Sequence, residues 1–292
     1  MWNESQAREL ADRLLILAGM TGADLELLRL GNNAVFRVGR RYILRVARPT
    51  TPTKDIEREL QLANVLVGHG VPVARLADLS VPQPLIVGAA RGSLWEYLPG
   101  DRPTYRQFGQ LVQRFHEQTN RLDLALPAWQ PLATARHRLD TLSHQYHHVD
   151  IALLEQHYVR IAADLERLCP VLPAGPIHGQ AEIGNARLHG HQAVFLDLER
   201  VSHGPREWDL IDTAVATLRF ALPQAHYEAF ANAYGFDVMN WSGFAVLRRL
   251  WELRATTWLM QNREHRPEIA NEISVRLDSW RRDDQTCRWR GF

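Results

Sequence analysis

Lysine is nearly missing from this 292-residue chain: of its 34 basic side chains one, Lys54, is lysine and the rest are arginine. Cysteine is almost as scarce. Cys169 and Cys287 stand alone with no C-x-x-C spacing, which excludes a cysteine-built zinc site and suits a reducing interior. No apolar run approaches the roughly 18 residues of a membrane span. The opening MWNESQARELADRLLILAGM lacks a basic leader before its short apolar stretch, so a secretory signal is not expected and a cytoplasmic, membrane-free location is. A formal charge of +1 lacks the excess of positive charge that nucleic-acid binders show. The Arg- and Trp-rich tail RLDSWRRDDQTCRWRGF reads as a solvated, partly self-paired surface, because Asp278, Asp283 and Asp284 alternate with its arginines. Repeats and low-complexity stretches are absent as well.

What is present is enough apolar material, 46% of the residues, for two lobes or one large domain. Leu10, Leu14, Leu15 and Ile16 follow the capping-type Asn3 and Ser5 at helical spacing, predicting a helix over 5–18. LELLRLGNNAVFRVGRRYILRVARP then alternates apolar and polar positions, broken at Gly31-Asn32-Asn33 and Gly39, and predicts three antiparallel strands. A helix is expected over 54–68, stopped by Gly70 and Pro72, followed by strands at 84–87 and 93–98 joined through GAARG. LPGDRPT marks a lobe boundary. Beyond it almost everything reads as helix, except a hairpin over 186–198 turning at His189-Gly190-His191, whose second strand carries Asp197 opposite Leu196 and Leu198. The expectation is an α+β, bilobal fold: a sheet-rich N-lobe at 1–98 and a helical C-lobe at 99–292, with the natural cleft between them.

The chemistry concentrates in PIHGQAEIGN, residues 176–185, and AVFLDLE, residues 193–199. His178-Gly179, Asn185 and, twelve residues later, Asp197 have a spacing that suits phosphoryl transfer. An amide oxygen and a carboxylate that converge can hold Mg²⁺ against nucleotide phosphates.

In this order and spacing the motifs resemble the aminoglycoside phosphotransferase and choline kinase family, relatives of the protein kinases. GNNAVFRV, with Asn33, is similar to the family's nucleotide loop, and YILRVARP to its third strand, where Arg45 stands for the phosphate-binding cation. RELQLANVLVGHGVPVAR resembles the helix that supplies the partner of that cation, here Glu59. LWEYLPG is similar to the hinge whose backbone meets adenine, at Glu96, Tyr97 and Leu98. LVQRFHEQ resembles the first C-lobe helix, and HGPREWDLID the segment whose Asp209 braces the catalytic loop. The resemblance implies a protein-kinase-like fold, ATP or GTP and Mg²⁺ as cofactors, Asn185 and Asp197 as metal ligands, and a small-molecule or peptide hydroxyl as acceptor.

One departure matters. The family carries Asp where this chain has Gln180, and the loop's second histidine is replaced by Glu182. A carboxamide takes no proton near neutral pH. Three readings stay open: a phosphotransferase in which Glu182 or a substrate group replaces the base, a pseudokinase-like binder of nucleotide or partner, and a loop reworked for an unusual acceptor such as a peptide Ser or Thr in a natural-product pathway. Residues 105–170 mix acidic side chains with Arg and His, which disfavours a polycationic acceptor. His178 and His116 read as architectural. His144, His147, His148 and His157 read as a solvated or acceptor-facing helix rather than a metal site, and the tryptophans at 251, 258, 280 and 289 mostly as core.

Overall fold

The computed structural model describes residues 2–31, 33–263 and 267–292. In chain order the elements begin α1 (Glu4–Leu17), β1 (Leu25–Leu30), β2 (Asn33–Val38), β3 (Tyr42–Ala47), α2 (Thr53–Gly68), β4 (Leu85–Val87) and β5 (Ala90–Glu96). They continue with α3 (Tyr105–Thr119), α4 (Pro131–Leu142), α5 (His148–Glu166), β6 (Gly175–Ile177), a 3-10 turn (Ile183–Asn185), β7 (Ala186–His189) and β8 (Gln192–Phe195). The last are β9 (Ser202–Gly204), α6 (Trp208–Arg219), α7 (Gln224–Tyr234), α8 (Phe244–Gln261) and α9 (Pro267–Arg281). The chain divides into two compact units, Met1–Pro103 with Gly184–Arg200, and Thr104–Ile183 with Val201–Phe292.

The first unit is built on a five-stranded sheet in the order β1-β2-β3-β5-β4, antiparallel at every pairing. The Asn3 side chain accepts from the Gln6 N–H at 2.9 Å and starts α1. Ala7, Leu10, Ala11, Leu14 and Leu15 of that helix pack with Ala34, Phe36, Val38, Leu44, Val46 and Leu94 of the sheet. Because side chains alternate along a strand, burying Leu44 and Val46 against α1 turns Arg45 to the other face, where α2 presents Glu59. Gly92 is required by close approach: a Cβ there would meet the Arg45 carbonyl oxygen at 2.5 Å.

The hairpin β7–β8 belongs to this first unit. Phe195 N–H donates to the Pro72 carbonyl, Ala74 N–H to the Phe195 carbonyl and Leu188 N–H to the Asp101 carbonyl, at 2.8 to 2.9 Å. The units therefore divide the chain differently from a simple split at residue 98: the first runs to Pro103 and takes 184–200 from later in the sequence. The second hairpin strand also stops sooner than its apolar pattern predicts, at Phe195. Asp197 lies beyond it with a left-handed φ of 56°.

The second unit is mostly helical. The Thr104 and Gln107 side chains form a reciprocal cap on α3, and α3 packs on α7 through the stacked rings of Phe108 and Phe230. β6 and β9 pair antiparallel, a two-stranded piece that the apolar pattern does not reveal because each strand is only three residues long. The tail matches its expectation at Arg281, Arg282, Arg288 and Arg290, which are exposed, with Arg281 paired to Asp278, and departs from it at one arginine. Arg276 is buried, and its guanidinium and that of Arg219 each sit 4.6 Å from the ring centre of buried Trp289. Arg219 donates to the carbonyls of Asp284 and Cys287, and Arg276 to that of Arg290, so a tail with a mostly exposed surface is anchored through its backbone. Trp280 and Trp289 are core residues, whereas Trp251 is half-buried and Trp258 is exposed.

Glu252, fully buried on α8, accepts from Arg219 Nε at 2.7 Å and from Arg248 Nε at 2.8 Å. Burial opposes its charge, yet these two arginines hold its carboxyl below the ordinary range. Removing it strands two buried cations. Glu252→Ala is expected to destabilise the protein by about 3–5 kcal/mol in denaturant titration, and a loss below about 1 kcal/mol would show that the ion cluster is not what fastens the tail.

Candidate phosphotransferase site

In the first unit, three side chains separated widely in sequence meet. Arg45 Nη1 lies 2.5 Å from Glu59 Oε1, and Arg45 Nη2 lies 3.3 Å from Asp197 Oδ1. Glu59 Oε1 also accepts from the Leu198 N–H at 3.1 Å, so one carboxylate ties β3 to the segment leaving β8. Glu199 completes the group at 3.8 Å from Arg45. Burial works against the Arg45 charge, but Glu59, Asp197 and Glu199 outweigh it and raise the guanidinium above its ordinary pKa. Burial likewise pushes the Glu59 carboxyl up, against the pull of Arg45, and the charges on Asp197 and Glu199 push the same way.

Asn185 and Asp197 are brought near each other by hairpin register. Ala186 faces Phe195 across β7–β8, and the Leu196 N–H donates to the Asn185 carbonyl at 2.8 Å, one residue before Asp197. Asn185 is buried and the Asp197 side chain is 20% exposed. An amide oxygen and a carboxylate are the hard donors Mg²⁺ prefers, and such ions usually take one or two protein ligands and complete their shell with water and phosphate. The pair fits that requirement. Among the described residues no set of three or more His, Cys, Asp or Glu is arranged to hold a metal. His147 instead caps α5 and packs on His148, and His157 packs on Trp280.

At the hinge, the Glu96 N–H donates to the Arg75 carbonyl at 2.9 Å and the Tyr97 N–H to the Arg41 carbonyl at 2.8 Å. Two of the three candidate amides are thus committed to local structure. Asn33 opens β2, and its carbonyl accepts from the Gly31 N–H at 3.1 Å, closing the turn; Asn32 lies outside the described residues.

In the second unit the loop after β6 is held from α6. Asp209 Oδ2 accepts from the His178 N–H at 2.6 Å and Oδ1 from the Gly179 N–H at 2.8 Å, while Trp208 Nε1 donates to the Gly179 carbonyl at 3.0 Å. Gly179 has φ of 78°, a left-handed conformation that suits glycine. His116 lies between Asp209 Oδ2 and the Tyr234 hydroxyl, 2.9 Å from each. Both histidines are buried and serve the loop's architecture.

Gln180 is exposed, and its Nε2 donates to Glu182 Oε1 at 3.0 Å. One turn after Asp209 on α6 comes Asp212, which sequence reasoning missed although its i+3 spacing places it on the same helix face. Burial first, and the Glu182 charge second, hold the Asp212 carboxyl well above the usual carboxylate range, against a hydrogen bond from Trp251. Arg29 and Glu199 were also missed, and nothing in their local sequence marks them.

The sequence profile of the phosphotransferase enzyme family matches residues 24–250. The chain belongs to that family. Similar solved structures include amicoumacin kinase hAmiN in complex with AMP-PNP, Ca²⁺ and Ami, with a TM-score of 0.75 and 14% identity over 99% of this chain and 98% of that one. A choline/ethanolamine kinase family protein from Mesorhizobium loti gives 0.66 and 16%, covering 96% and 94%. Spectinomycin phosphotransferase APH(9)-Ia in complex with ADP and spectinomycin gives 0.66 and 12%, covering 95% and 98%. No curated protein sequence matches. The likeness bears out the protein-kinase-like α+β fold, and among the described residues no helix is long and apolar enough to cross a membrane.

Asp209 carries most of the loop's fixation. Asp209→Ala leaves two buried N–H groups without their carboxylate and is expected to cost about 2–5 kcal/mol of stability, with faster hydrogen exchange at His178 and Gly179. Unchanged exchange at those amides would remove Asp209 from this role.

Proposed function

We propose that this protein is an ATP- and Mg²⁺-dependent phosphotransferase that acts on a hydroxyl of a small molecule or natural product, with Glu182 replacing the usual base. The observation that carries the reading is the Gln180–Glu182 hydrogen bond of 3.0 Å. It fixes a carboxylate two residues along from the position where the family carries one. Support for the nucleotide half comes from Arg45, Glu59 and Asp197, which are joined as a phosphate-binding cation, its anchor and a metal carboxylate require.

In this reading Arg45, fixed by Glu59, lies against the nucleotide phosphates, and the Leu98 N–H with the carbonyl of Glu96 meets the adenine. Asn185 and Asp197 hold Mg²⁺, which when bound neutralises charge on the phosphates. Glu182 accepts the proton of the acceptor hydroxyl as its oxygen bonds to the γ-phosphorus and the bond to the ADP oxygen breaks. Gln180 holds Glu182 in place by donating its amide hydrogen and takes no proton itself. Because the transition state is loose, positioning and charge carry most of the rate and a base adds roughly two to four orders of magnitude. The ion-paired groups suit nucleotide binding with or without turnover, and the carboxylate held beside Gln180 is what favours this reading over a degraded loop that only binds nucleotide.

Glu182→Gln is therefore expected to lower kcat about 100-fold or more, measured as ADP release with a panel of hydroxylated natural products. Gln180→Ala should lose less, since the carboxylate remains. Equal rates in the two variants would contradict the assignment. A large gain in turnover from Gln180→Asp, with Glu182→Gln silent, would instead identify a scaffold that lacks its base.

A further inference from the structure

Arg29 has no part in the chemistry proposed for Arg45, Asn185 and Asp197. It lies on β1 opposite Val35, at the irregularity in register between Leu27 and Arg29, and such bulges re-aim a side chain. Its Nη2 is 3.7 Å from Asp197 Oδ2, while Arg45 takes Oδ1 of the same carboxylate at 3.3 Å. Both oxygens of Asp197 therefore face an arginine. The two arginines differ in how firmly they are held. Arg45 is 12% exposed and pinned by Glu59, whereas Arg29 is 60% exposed and, among the described residues, Asp197 is the one carboxylate within ion-pair range of it.

An exposed pair at that distance adds little to stability, so the fold gives no strong reason for it. Function does, if Asp197 is the metal carboxylate. A divalent cation on Asp197 would repel the loosely held guanidinium. A triphosphate arriving with the metal offers that guanidinium a stronger, bidentate partner. Arg29, Arg45 and Arg200 balance Glu59, Asp197 and Glu199 before either arrives, so the cluster holds no surplus positive charge, and a guanidinium released from Asp197 is placed to meet the added phosphate charge.

We propose that Arg29 is an exchangeable counter-ion, neutralising Asp197 when nucleotide and metal are absent and turning to the terminal phosphates of the nucleotide when they bind. This rests on the reading of Asp197 as metal carboxylate, and the test separates the two. Calorimetric titration of the whole protein, Arg29→Ala and Arg29→Lys with MgATP and with AMP reads affinity without turnover. Arg29→Ala should weaken MgATP binding about 5- to 20-fold and leave AMP binding unchanged. Arg29→Lys should recover part of the loss, and the melting temperature without ligand should not move. MgATP affinity equal to or tighter than wild type in Arg29→Ala would overturn the exchange while leaving the nucleotide site intact. Equal weakening toward MgATP and AMP would also overturn it, since the effect would then not depend on the terminal phosphates. A wild-type protein that binds neither nucleotide would refute the underlying reading and the exchange with it.

Discussion

A guanidinium taken out of water is tolerated only when carboxylates surround it, and Arg45 is such a group. Its bond to Glu59 requires three things at once: the alternation of β3 that turns it away from the α1 core, the placement of α2 on that face, and the return of the chain after β8 so that Leu198 donates to the same oxygen. Buried ion pairs of this kind are seldom kept for stability, since well-packed apolar groups often serve as well. Their use is to fix a register. Here the register fixed is that of Asp197 relative to the sheet, across 152 residues of sequence.

The loop of the second unit follows the same logic with hydrogen bonds in place of ion pairs. Asp209 and Trp208 hold the backbone at His178 and Gly179, so that the next side chains start from a fixed geometry. The uncharged Gln180 then serves as a brace, its amide donating to Glu182. In the proposed function the exchange of Asp for Gln moves the base along the loop rather than removing it.

Much of this was legible in the sequence, for reasons that differ by element. β2 alternates cleanly, and α1 and α2 have capping residues or breakers at their ends, so period and punctuation place both helices within about one residue, whereas β5, nearly all buried, starts at Ala90, ahead of the expected 93. Arg45, Glu59 and Asp197, which meet in the structure, are legible as candidates because each sits at an element whose order is distinctive. Short elements failed: β6 and β9 have three residues each, too few for a period to register. The end of β8 failed because LDL after Phe195 still alternates although its backbone has turned left-handed at Asp197. The tail misled in another way. Arg281, Arg282, Arg288 and Arg290 are exposed, as the neighbouring Asp278, Asp283 and Asp284 suggest, but Arg276 is buried by a local partner, Glu272, and a distant ring, Trp289. Arg29 and Asp212 matter only through residues far along the chain, and no local pattern encodes that.

The central claim is that Asp197 holds a divalent cation under a nucleotide. The most direct measurement is the melting temperature of the wild type and of Asp197→Ala with ATP, with and without Mg²⁺. The account predicts a rise for the wild type that needs both ligands, corresponding to about 2.7 kcal/mol at a hundredfold excess over Kd, and no rise for Asp197→Ala. A wild-type melting curve indifferent to MgATP, or an equal rise in the variant, would contradict it.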